Sequence, residues 1–489
     1  MAYRVLPYRE PLALLTDLYE ISMAYGYWKS GVDRQEAIFH LIFRENPFKS
    51  GFTLACGLES VIDFLENFRF KEPDVRYLQS LNGNDGKPLF HRDFLAYLKK
   101  TRLECDLDAV PEGTVVFPQE PLLRIKGPVA QCQMLETAFL NILNFQTLIA
   151  TKAARVCQAA RGDAVIEFGL RRAQGIDGGL SASRAAYIGG CDATSNLLAG
   201  KIYGIPVRGT LAHSWVMFFE GEAEAFLAYA KAMPNNSVFL VDTYDTLEGV
   251  KRAVEAGKWL KSQGYGMIGI RLDSGDFAKL SVEARKILDE AGFHDAKIVA
   301  SNELDEHAIR ALKERGAVVN VWGVGTKLVT GFDQPALGGV YKLAAVKDKG
   351  GRWRRKVKLS EEHYKSSDPG IKQVRRSFSG NQSQADVIYD VELGLKDPCA
   401  AVDSADLSAE RQVSFGKSFK DLLVPVFRGG KCVYQFPSIH DIRKSAREDL
   451  ASFSVGVKEL KNPGAYFVGF EKSLYRLKGE LASTYKVSK

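Results

Sequence analysis

Six short apolar runs lie between residues 164 and 325, and a stretch with helical character follows each of them. Nearly continuous apolar character is typical of strands that are covered on both faces. Because strands that alternate with helices form βαβ units, the pattern predicts a parallel sheet. The runs are AVIEFGL (164–170), IPVRGTLA (205–212), SVFLVDT (237–243), GMIGIRLDS (266–274), KIVASN (297–302) and VVNVWGVG (318–325).

The polar residues of these runs fall near their carboxyl ends, as Asp242 with Thr243 and Ser301 with Asn302 illustrate. In a parallel α/β barrel, that end of each strand carries the chemistry. A full barrel has eight strands, and only six runs are visible here. We therefore expect an irregular or incomplete parallel α/β barrel, with a doubly wound open sheet as the alternative.

The flanking regions have different patterns, so the sequence predicts three units. An N-terminal α/β domain is expected over 1–150, a barrel-like catalytic domain over 151–343 and a mixed C-terminal domain over 344–489. Part of the C-terminal domain is expected to pack back on the N-terminal one. Helices outside the middle region are predicted near residues 16–30, 129–160 and 439–451.

Composition disfavours several classes of protein. The 489 residues carry a net charge of +7, which is too small an excess to indicate nucleic-acid binding. The seven cysteines form no C-x-x-C pair, so structural zinc and a disulfide framework are both disfavoured. We see no secretory signal, and no stretch approaches the ~20 apolar residues of a membrane helix. We therefore expect a cytoplasmic protein with free thiols and with no nucleic-acid or membrane partner.

Two adjacent arginines follow the first run, in the segment IEFGLRRAQGIDGGLSASR (166–184). Arg171 and Arg172 lie beside several glycines, and a guanidinium suits planar, bidentate capture of a carboxylate or phosphate. The alternative is a solvated loop with surface arginines, and it stays open on sequence alone.

One histidine follows the second run, in GTLAHSW (209–215), where Thr210 and Ser214 lie close to His213. A histidine in this position suits a general acid or base, or a phosphate acceptor. A structural hydrogen-bonding role is the alternative. A serine-hydrolase triad is disfavoured because no G-x-S-x-G elbow occurs nearby.

Two carboxylates flank a Ser-Gly turn in IRLDSGD (270–276). A pair such as Asp273 and Asp276 can hold Mg²⁺ or hydrogen-bond ribose hydroxyls, although Asp276 also suits the N-cap of a helix. Arg271 is a charge within an apolar strand. Because such a charge is costly unless it is paired, an anionic ligand would explain it.

A glycine-rich turn occurs in VWGVGTKLVTG (321–331), where Gly323, Gly325 and Thr326 resemble a phosphate cradle at a helix start. The segment is not a P-loop, and it lacks the dinucleotide-binding pattern. Together, the four segments describe a barrel mouth with anion-binding groups, a carboxylate pair and one histidine. These features favour an enzyme acting on a phosphorylated sugar and on a second substrate that carries a carboxylate.

Long motifs of this chain resemble those of the nicotinate phosphoribosyltransferase family, whose members have the type II phosphoribosyltransferase fold. The motifs occur in the family's order over residues 14–343 and extend into the tail. They are LLTDLYEISMAYGYW (14–28), EFGLRRAQGIDGG (167–179), GTLAHSW (209–215), RLDSGD (271–276), NVWGVGTKLVT (320–330), LGGVYKL (337–343), KLSEEHYKSSDPGIKQVRR (358–376) and VPVFRGGK (424–431).

The resemblance implies an N-terminal α/β domain, an irregular α/β barrel and a further C-terminal domain. It also implies a homodimer whose active sites are completed across the interface. The implied reaction converts nicotinate and phosphoribosyl pyrophosphate into nicotinate mononucleotide and pyrophosphate, in NAD biosynthesis. ATP hydrolysis is coupled to it through transient phosphorylation of a histidine. Mg²⁺ or Mn²⁺ is the implied cofactor, because a cation stabilises the leaving pyrophosphate.

Matched by position, the resemblance makes His213 the phosphorylated histidine and Asp273 a further catalytic residue. Lys152 and Arg155 are expected at a neighbouring subunit's site or on the surface, and Asp273 or Asp276 is a candidate metal ligand. The implied nicotinate contacts are Tyr19, Phe168, Arg171, Thr210 and Arg271. The implied phosphoribosyl pyrophosphate contacts are Ser301, Asn302, Gly323, Gly325 and Thr326.

Three alternatives stay open on sequence alone. The nearest is a phosphoribosyltransferase that uses nicotinamide, whose neutral amide needs no cationic partner. The second is a catalytically inactive homologue that binds nucleotides or partners. The third is an aldolase-like barrel enzyme, which needs a Schiff-base lysine at a strand end, where Lys327 comes closest.

Overall fold

The computed structural model describes residues 11–360 and 367–487, so part of the tail motif 358–376 lies outside the described residues. The chain divides into two compact units. Unit 1 combines the residues up to Leu148 with those from Ala336 onward, and unit 2 is Ile149–Pro335.

The first part of unit 1 alternates short strands with helices. The strand Glu36–Phe43, EAIFHLIF, is rich in β-branched and aromatic residues, which suit a buried sheet. Its elements, with a last helix that runs on into unit 2, are α1 (Leu18–Lys29), β1 (Glu36–Phe43), β2 (Thr53–Leu54), α2 (Leu58–Glu66), α3 (Glu72–Ser80), α4 (Arg92–Lys100), β3 (Asp106–Ala109), β4 (Val115–Val116), β5 (Pro121–Pro128), α5 (Val129–Met134) and α6 (Glu136–Ala160).

Unit 2 repeats the strand–helix pattern that the apolar runs predict. Acidic residues just past three of its strands cap the helices that follow: Asp245 caps α11, Asp276 caps α12 and Asp305 caps α13. Its elements are β6 (Ala164–Glu167), α7 (Gly175–Ile188), β7 (Ala193–Thr194), α8 (Leu197–Tyr203), α9 (His213–Phe218), α10 (Glu222–Ala232), β8 (Val238–Leu240), α11 (Thr246–Ser262), β9 (Gly269–Leu272), α12 (Phe277–Glu290), β10 (Lys297–Ser301), α13 (Glu306–Glu314), β11 (Val321–Val324) and α14 (Thr326–Val329).

The strands of unit 2 form one parallel six-stranded sheet in the order β7-β6-β11-β10-β9-β8. The last strand along the chain, β11, pairs with the first, β6, and every other pair joins strands that are consecutive in sequence. The order is therefore that of a ring with one opening, between β7 and β8. A doubly wound sheet would instead reverse its winding at a central switch point. The expected incomplete barrel is confirmed.

One of the six predicted strands is wrong. Residues 205–212 form no strand, and only an isolated bridge joins Val207 to Thr194. Pro206 has no N–H to give to a ladder, and Gly209 has no side chain to pack, so the run is a poor strand despite its apolar residues. The sheet uses the two-residue strand β7 instead, which is too short to show a pattern in the sequence.

The tail completes unit 1. Its elements are β12 (Gly339–Lys347), β13 (Trp353–Arg355), β14 (Lys372–Ser379), β15 (Gln382–Asp390), β16 (Cys399–Asp403), β17 (Glu410–Val413), β18 (Phe419–Asp421), β19 (Val424–Arg428), β20 (Lys431–Cys432), α15 (Ile439–Ala451), β21 (Phe467–Glu471) and α16 (Lys472–Val487).

Unit 1 contains a seven-stranded sheet in the order β13-β12-β1-β5-β3-β19-β20 and a six-stranded sheet in the order β17-β16-β21-β15-β14-β18. In the first sheet, β12 pairs antiparallel with β1, with Val346 opposite Ala37. The expected domain boundary at residue 343 falls inside β12, and this pairing explains why the observed boundary lies earlier, after Pro335. The tail also contributes β13, β19 and β20 to the N-terminal sheet.

Two sequence expectations concern the chain as a whole. The seven cysteines are all free thiols. Within the described ranges, no helix has the length and apolar character needed to cross a membrane.

Candidate active site

Arg271, on β9, is the centre of a polar cluster at the carboxyl end of the barrel strands. Its Nε donates to Ser301 Oγ at 2.7 Å, its Nη1 to Thr210 Oγ1 at 3.0 Å and its Nη2 to Asp273 Oδ1 at 2.6 Å. The guanidinium carbon lies 5.5 Å from the centroid of the Phe168 ring. The charge in the strand is therefore compensated within the chain, which corrects the argument that it needs an anionic ligand.

Asp273 joins this cluster to the histidine. Its Oδ1 accepts hydrogen bonds from Ser301 and Arg271, and its Oδ2 lies 3.8 Å from Nε2 of His213. Burial alone would raise the pKa of Asp273, but the hydrogen bonds from Ser301 and Arg271 outweigh burial and lower this pKa below its ordinary value. Asp273 is therefore an anion at neutral pH.

His213 is the first residue of α9, and its side chain is 38% exposed. Nδ1 lies 3.1 Å from Thr243 Oγ1, while Nε2 lies 3.9 Å from Asp242 Oδ1 and 3.8 Å from Asp273 Oδ2. An imidazole that is open to solvent and flanked by two carboxylates has the surroundings that proton transfer or phosphate acceptance requires.

Asp242 is a residue of this site that sequence reasoning did not single out. Its side chain is 1% exposed, and its Oδ2 accepts hydrogen bonds from the Asp273 N–H and the Ser274 hydroxyl, both at 2.7 Å. Its Oδ1 is buried without a hydrogen-bond partner among the described residues, and this atom faces His213. Asp242 therefore presents an unpaired carboxylate oxygen to the imidazole ring. The available signal was its place at the carboxyl end of the predicted strand 237–243.

Glu167, at the end of β6, is a second such residue. It is buried and accepts hydrogen bonds from the Gly169 N–H, from Ser183 Oγ at 2.8 Å and from Thr194 Oγ1 at 2.6 Å. These bonds fix the turn that follows β6, and so fix the position of Phe168 over Arg271.

A cleft at the strand ends gathers most of the residues that the sequence predicts. Arg171 belongs to an exposed 3₁₀ turn, Leu170–Arg172, so its guanidinium is available to an anion. Asn302 and Glu303 adopt left-handed φ values of 84° and 53°, a strain typical of functional loops. The cleft is lined by Phe168, Arg171, Arg172, Arg271, Asp273, Ser301, Asn302, Glu303, Leu304, Gly323, Gly325, Thr326 and Lys327.

The predicted phosphate cradle has a second explanation. A Cβ on Gly323 would lie 2.7 Å from the Phe168 ring, so the glycine lets this ring pack across β11. Gly325 precedes α14, which is a single helical turn starting at Thr326. Both glycines line the cleft, and the predicted phosphate contacts stay a prediction.

Asp276 has the structural role that the sequence offered as an alternative. It caps α12 by accepting from the Ala278 N–H at 3.1 Å, and both its oxygens accept from Arg315 Nη2, at 2.9 and 2.7 Å. A metal ion at Asp276 would have to displace Arg315. Asp273, whose Oδ2 points to His213, is the better candidate of the two.

Tyr19 lies in unit 1, on α1, apart from the residues of the unit 2 cluster in sequence. Burial, followed by the carboxylates of Glu136 and Glu20, raises its pKa above the ordinary value for a phenol. Its implied contact with nicotinate stays a prediction.

Lys152 and Arg155 correct an expectation. Their side chains are 0% and 1% exposed, and both pair with Glu306 of the same unit. Neither is a surface residue. Their implied place at a neighbouring subunit's site stays a prediction.

Lys327 bears on the aldolase alternative. Its Nζ lies 2.8 Å from Asp305 Oδ2, and this hydrogen bond raises the pKa of Lys327. A Schiff-base lysine needs a neutral amine and therefore a lowered pKa. The structure thus disfavours an aldolase-like mechanism at this position.

The chain matches the models of one protein family along most of its length. Residues 14–144 match the nicotinate phosphoribosyltransferase N-terminal domain, residues 164–368 the nicotinate phosphoribosyltransferase family and residues 371–478 the C-terminal domain. The chain is 42% identical to the nicotinate phosphoribosyltransferase of Bacillus subtilis, covering 95% of this chain and 94% of that protein. It is 34% identical to the human protein of that name, with 96% of each covered.

Two solved structures resemble this chain in fold. Human nicotinic acid phosphoribosyltransferase superimposes with a TM-score of 0.81 at 33% identity, covering 95% of this chain and 99% of that one. Nicotinate-nucleotide pyrophosphorylase from Pyrococcus furiosus superimposes with a TM-score of 0.66 at 23% identity, over 90% and 96% of the two chains. The second likeness is one of fold.

Proposed function

The chain belongs to the nicotinate phosphoribosyltransferase family, and from this premise we propose that it forms nicotinate mononucleotide and pyrophosphate from nicotinate and phosphoribosyl pyrophosphate. It is an enzyme of that family. The reaction serves NAD biosynthesis by salvage of nicotinate, in the cytoplasm. The observation that carries the proposal is the cluster of Arg271, Phe168 and Thr210 beside His213, at the mouth of one barrel.

Substrate binding follows from the charges of the cleft. Arg271 and Arg171 offer guanidinium groups to the carboxylate of nicotinate, Phe168 offers a face to its ring, and Thr210 a hydroxyl. Held in this way, the pyridine nitrogen attacks the anomeric carbon while the bond from that carbon to pyrophosphate breaks. The sugar-phosphate contacts are assigned to Ser301, Asn302, Gly323, Gly325 and Thr326, which all line the cleft.

Coupling to ATP is assigned to His213. One ring nitrogen attacks the terminal phosphorus of ATP, the bond to ADP breaks, and the other nitrogen keeps its proton. The carboxylates of Asp242 and Asp273, within 4 Å of Nε2, support this step because they stabilise the cationic ring that results. Hydrolysis of the phosphohistidine then returns the free imidazole.

A divalent cation fits this site if substrate phosphates supply some of its ligands. The described residues contain no group of three or more His, Cys, Asp or Glu side chains able to hold a metal ion. Mg²⁺ usually needs only one or two carboxylates together with substrate phosphates, and Asp273 is placed to supply one of them. When bound with the pyrophosphate, Mg²⁺ or Mn²⁺ would neutralise the charge of the leaving group.

A homodimer is proposed as the assembly. Large apolar side chains on unit 2 are well exposed, with Phe218 at 83%, Leu197 at 76% and Ile176 at 75%. Where such side chains form one contiguous patch, they mark protein–protein interfaces, and these three are candidates for such a patch. Most closed assemblies of one chain are twofold dimers.

The test of substrate choice is a parallel assay with nicotinate and nicotinamide, each with phosphoribosyl pyrophosphate, ATP and Mg²⁺. We expect turnover of nicotinate and little of nicotinamide, because only the carboxylate carries a negative charge that can pair with the guanidinium groups of Arg171 and Arg271. Equal use of the two bases would support the nicotinamide alternative. No product from either base would support an inactive homologue.

A further inference from the structure

A buried group of charges joins α6 to α13 in unit 2. Nζ of Lys152 lies 2.8 Å from Glu306 Oε2, and Nε of Arg155 donates to Glu306 Oε1 at 2.9 Å. All three side chains are at most 1% exposed. The desolvation penalty of three buried charges offsets much of their mutual attraction, so stability alone is a weak explanation for these ion pairs.

The charges continue to the segment after β11. Nζ of Lys152 also lies 2.5 Å from Asp333 Oδ2. Lys327, in α14, lies 2.8 Å from Oδ2 of Asp305, and Oδ1 of Asp305 caps α13 by accepting from the Ala308 N–H at 2.7 Å. These ion pairs tie together one helix, the start of a second and the chain that follows the last barrel strand.

The anchored positions adjoin the cleft. Asn302, Glu303 and Leu304 line it and lead directly into Asp305 and Glu306. The first two have left-handed φ values, 84° and 53°, and such a conformation persists only where the surroundings hold it. The loop 302–305 is therefore a strained segment whose far end is fixed by buried charges.

One hydrogen-bond donor of this buried group of charges is unpaired. Nη2 of Arg155 is buried and has no hydrogen-bond partner among the described residues. Because an unpaired buried donor is costly, stability alone does not explain this arrangement.

We propose that the ion pairs of Glu306 with Lys152 and Arg155 hold the loop 302–305 in the conformation that binds phosphoribosyl pyrophosphate. Glu306 does not line the cleft, so it is a positioning residue. The proposal rests on the proposed function, which assigns Asn302 to the sugar-phosphate. It gives Lys152 and Arg155 a role within their own subunit.

The first test compares Glu306→Gln with a matched control, Asp386→Asn. Glu306→Gln removes the charge and keeps the shape of the side chain. Asp386 belongs to an equally buried pair in unit 1, with Arg376 at 2.6 Å and both side chains 0% exposed. Both variants should lower the unfolding midpoint. Only Glu306→Gln should raise KM for phosphoribosyl pyrophosphate, by about ten-fold or more, while KM for nicotinate changes by less than about two-fold.

A second variant covers the case in which Glu306→Gln fails to fold. Arg155→Lys keeps a positive charge beside Glu306 but loses the hydrogen bond from Nε to its Oε1. Calorimetric titration of phosphoribosyl pyrophosphate, without nicotinate, should show binding weakened by about three-fold or more in this variant.

The outcomes separate this inference from the proposed function. If the folded variants bind phosphoribosyl pyrophosphate with the same dissociation constant as the wild type, the positioning role alone is overturned. The same holds if Asp386→Asn raises this KM as much as Glu306→Gln does. A wild-type protein that neither binds phosphoribosyl pyrophosphate nor forms nucleotide would overturn the proposed function, and the inference with it.

Discussion

Oδ1 of Asp242 lies 3.9 Å from Nε2 of His213 and is a buried oxygen with no hydrogen-bond partner among the described residues. The Oδ2 atom of the same carboxylate holds the backbone of Asp273 and the hydroxyl of Ser274. Asp242 therefore orients the second carboxylate of the site while presenting its own charge to the ring.

The first prediction concerns this carboxylate. Asp242→Asn removes the charge that stabilises a cationic imidazole, so we expect the ATP-stimulated rate to fall by about 10²-fold. The rate without ATP should change much less. Initial rates with and without ATP measure both effects. The control is Asp276→Asn, a helix cap outside the cleft, and an equal loss in this control would remove the special role of Asp242.

The second prediction concerns Arg271. Arg271→Lys keeps the charge but cannot reach Ser301, Thr210 and Asp273 together, because an ammonium lacks the planar fork of a guanidinium. We expect KM for nicotinate to rise by about ten-fold or more. Steady-state kinetics with nicotinate varied provide the measurement. Arg315→Lys, whose partner Asp276 lies outside the cleft, is the matched control, and an unchanged KM in Arg271→Lys would argue against the assignment.

The third prediction concerns the packing of Phe168. Gly323→Ala places a Cβ 2.7 Å from its ring, so the ring must leave its present position over Arg271. We expect weaker nicotinate binding and a loss of about 1–3 kcal/mol in the free energy of unfolding. Gly338→Ala is the control, because a Cβ there meets nothing within 4 Å. Equal kinetics for both variants would show that the ring position is unimportant for binding.

The fourth prediction concerns pH and unit 1. Burial, followed by the charge of Asp386, raises the pKa of Glu120 well above its ordinary value. The unfolded chain loses the Glu120 proton above about pH 4.3, whereas the folded protein keeps it to a higher pH. The free energy of unfolding therefore falls as the pH rises from about 4.3 to the raised pKa of the folded protein. Glu120→Gln removes this contribution. The free energy of unfolding of the variant should therefore fall less steeply with pH, by up to about 1.4 kcal/mol per pH unit.

Urea unfolding at pH 5, 6 and 7 measures this slope for the wild type, for Glu120→Gln and for the exposed control Glu66→Gln. We expect the control to follow the wild type. Parallel slopes for all three proteins would contradict the raised pKa of Glu120.

The sequence predicts the barrel well, for a physical reason. Strands covered on both faces need continuous apolar residues, and this pattern survives in five of the six runs. The carboxyl ends of those strands bring Arg271, Asp273 and Ser301 together, so their position in the runs is enough to predict the cluster. The failure at residues 205–212 comes from Pro206, which interrupts an otherwise apolar run.

Long-range pairing and burial could not be predicted in this way. Nothing local shows that β12 pairs with β1, about 300 residues earlier in the chain, and this pairing sets the domain boundary. Lys152 and Arg155 look like solvent-facing charges on a helix until their partner Glu306, 151 residues from Arg155, is known. Burial also distinguishes Asp242 from the other acidic residues past strand ends.

The central claim is that this chain makes nicotinate mononucleotide and that His213 couples the reaction to ATP. The most direct measurement is formation of that nucleotide from nicotinate and phosphoribosyl pyrophosphate, with and without ATP, in the wild type and in folded His213→Ala. We predict product in the wild type, a clear stimulation by ATP, and loss of this stimulation in the variant. Absence of product in the wild type, or unchanged stimulation in His213→Ala, would contradict the claim.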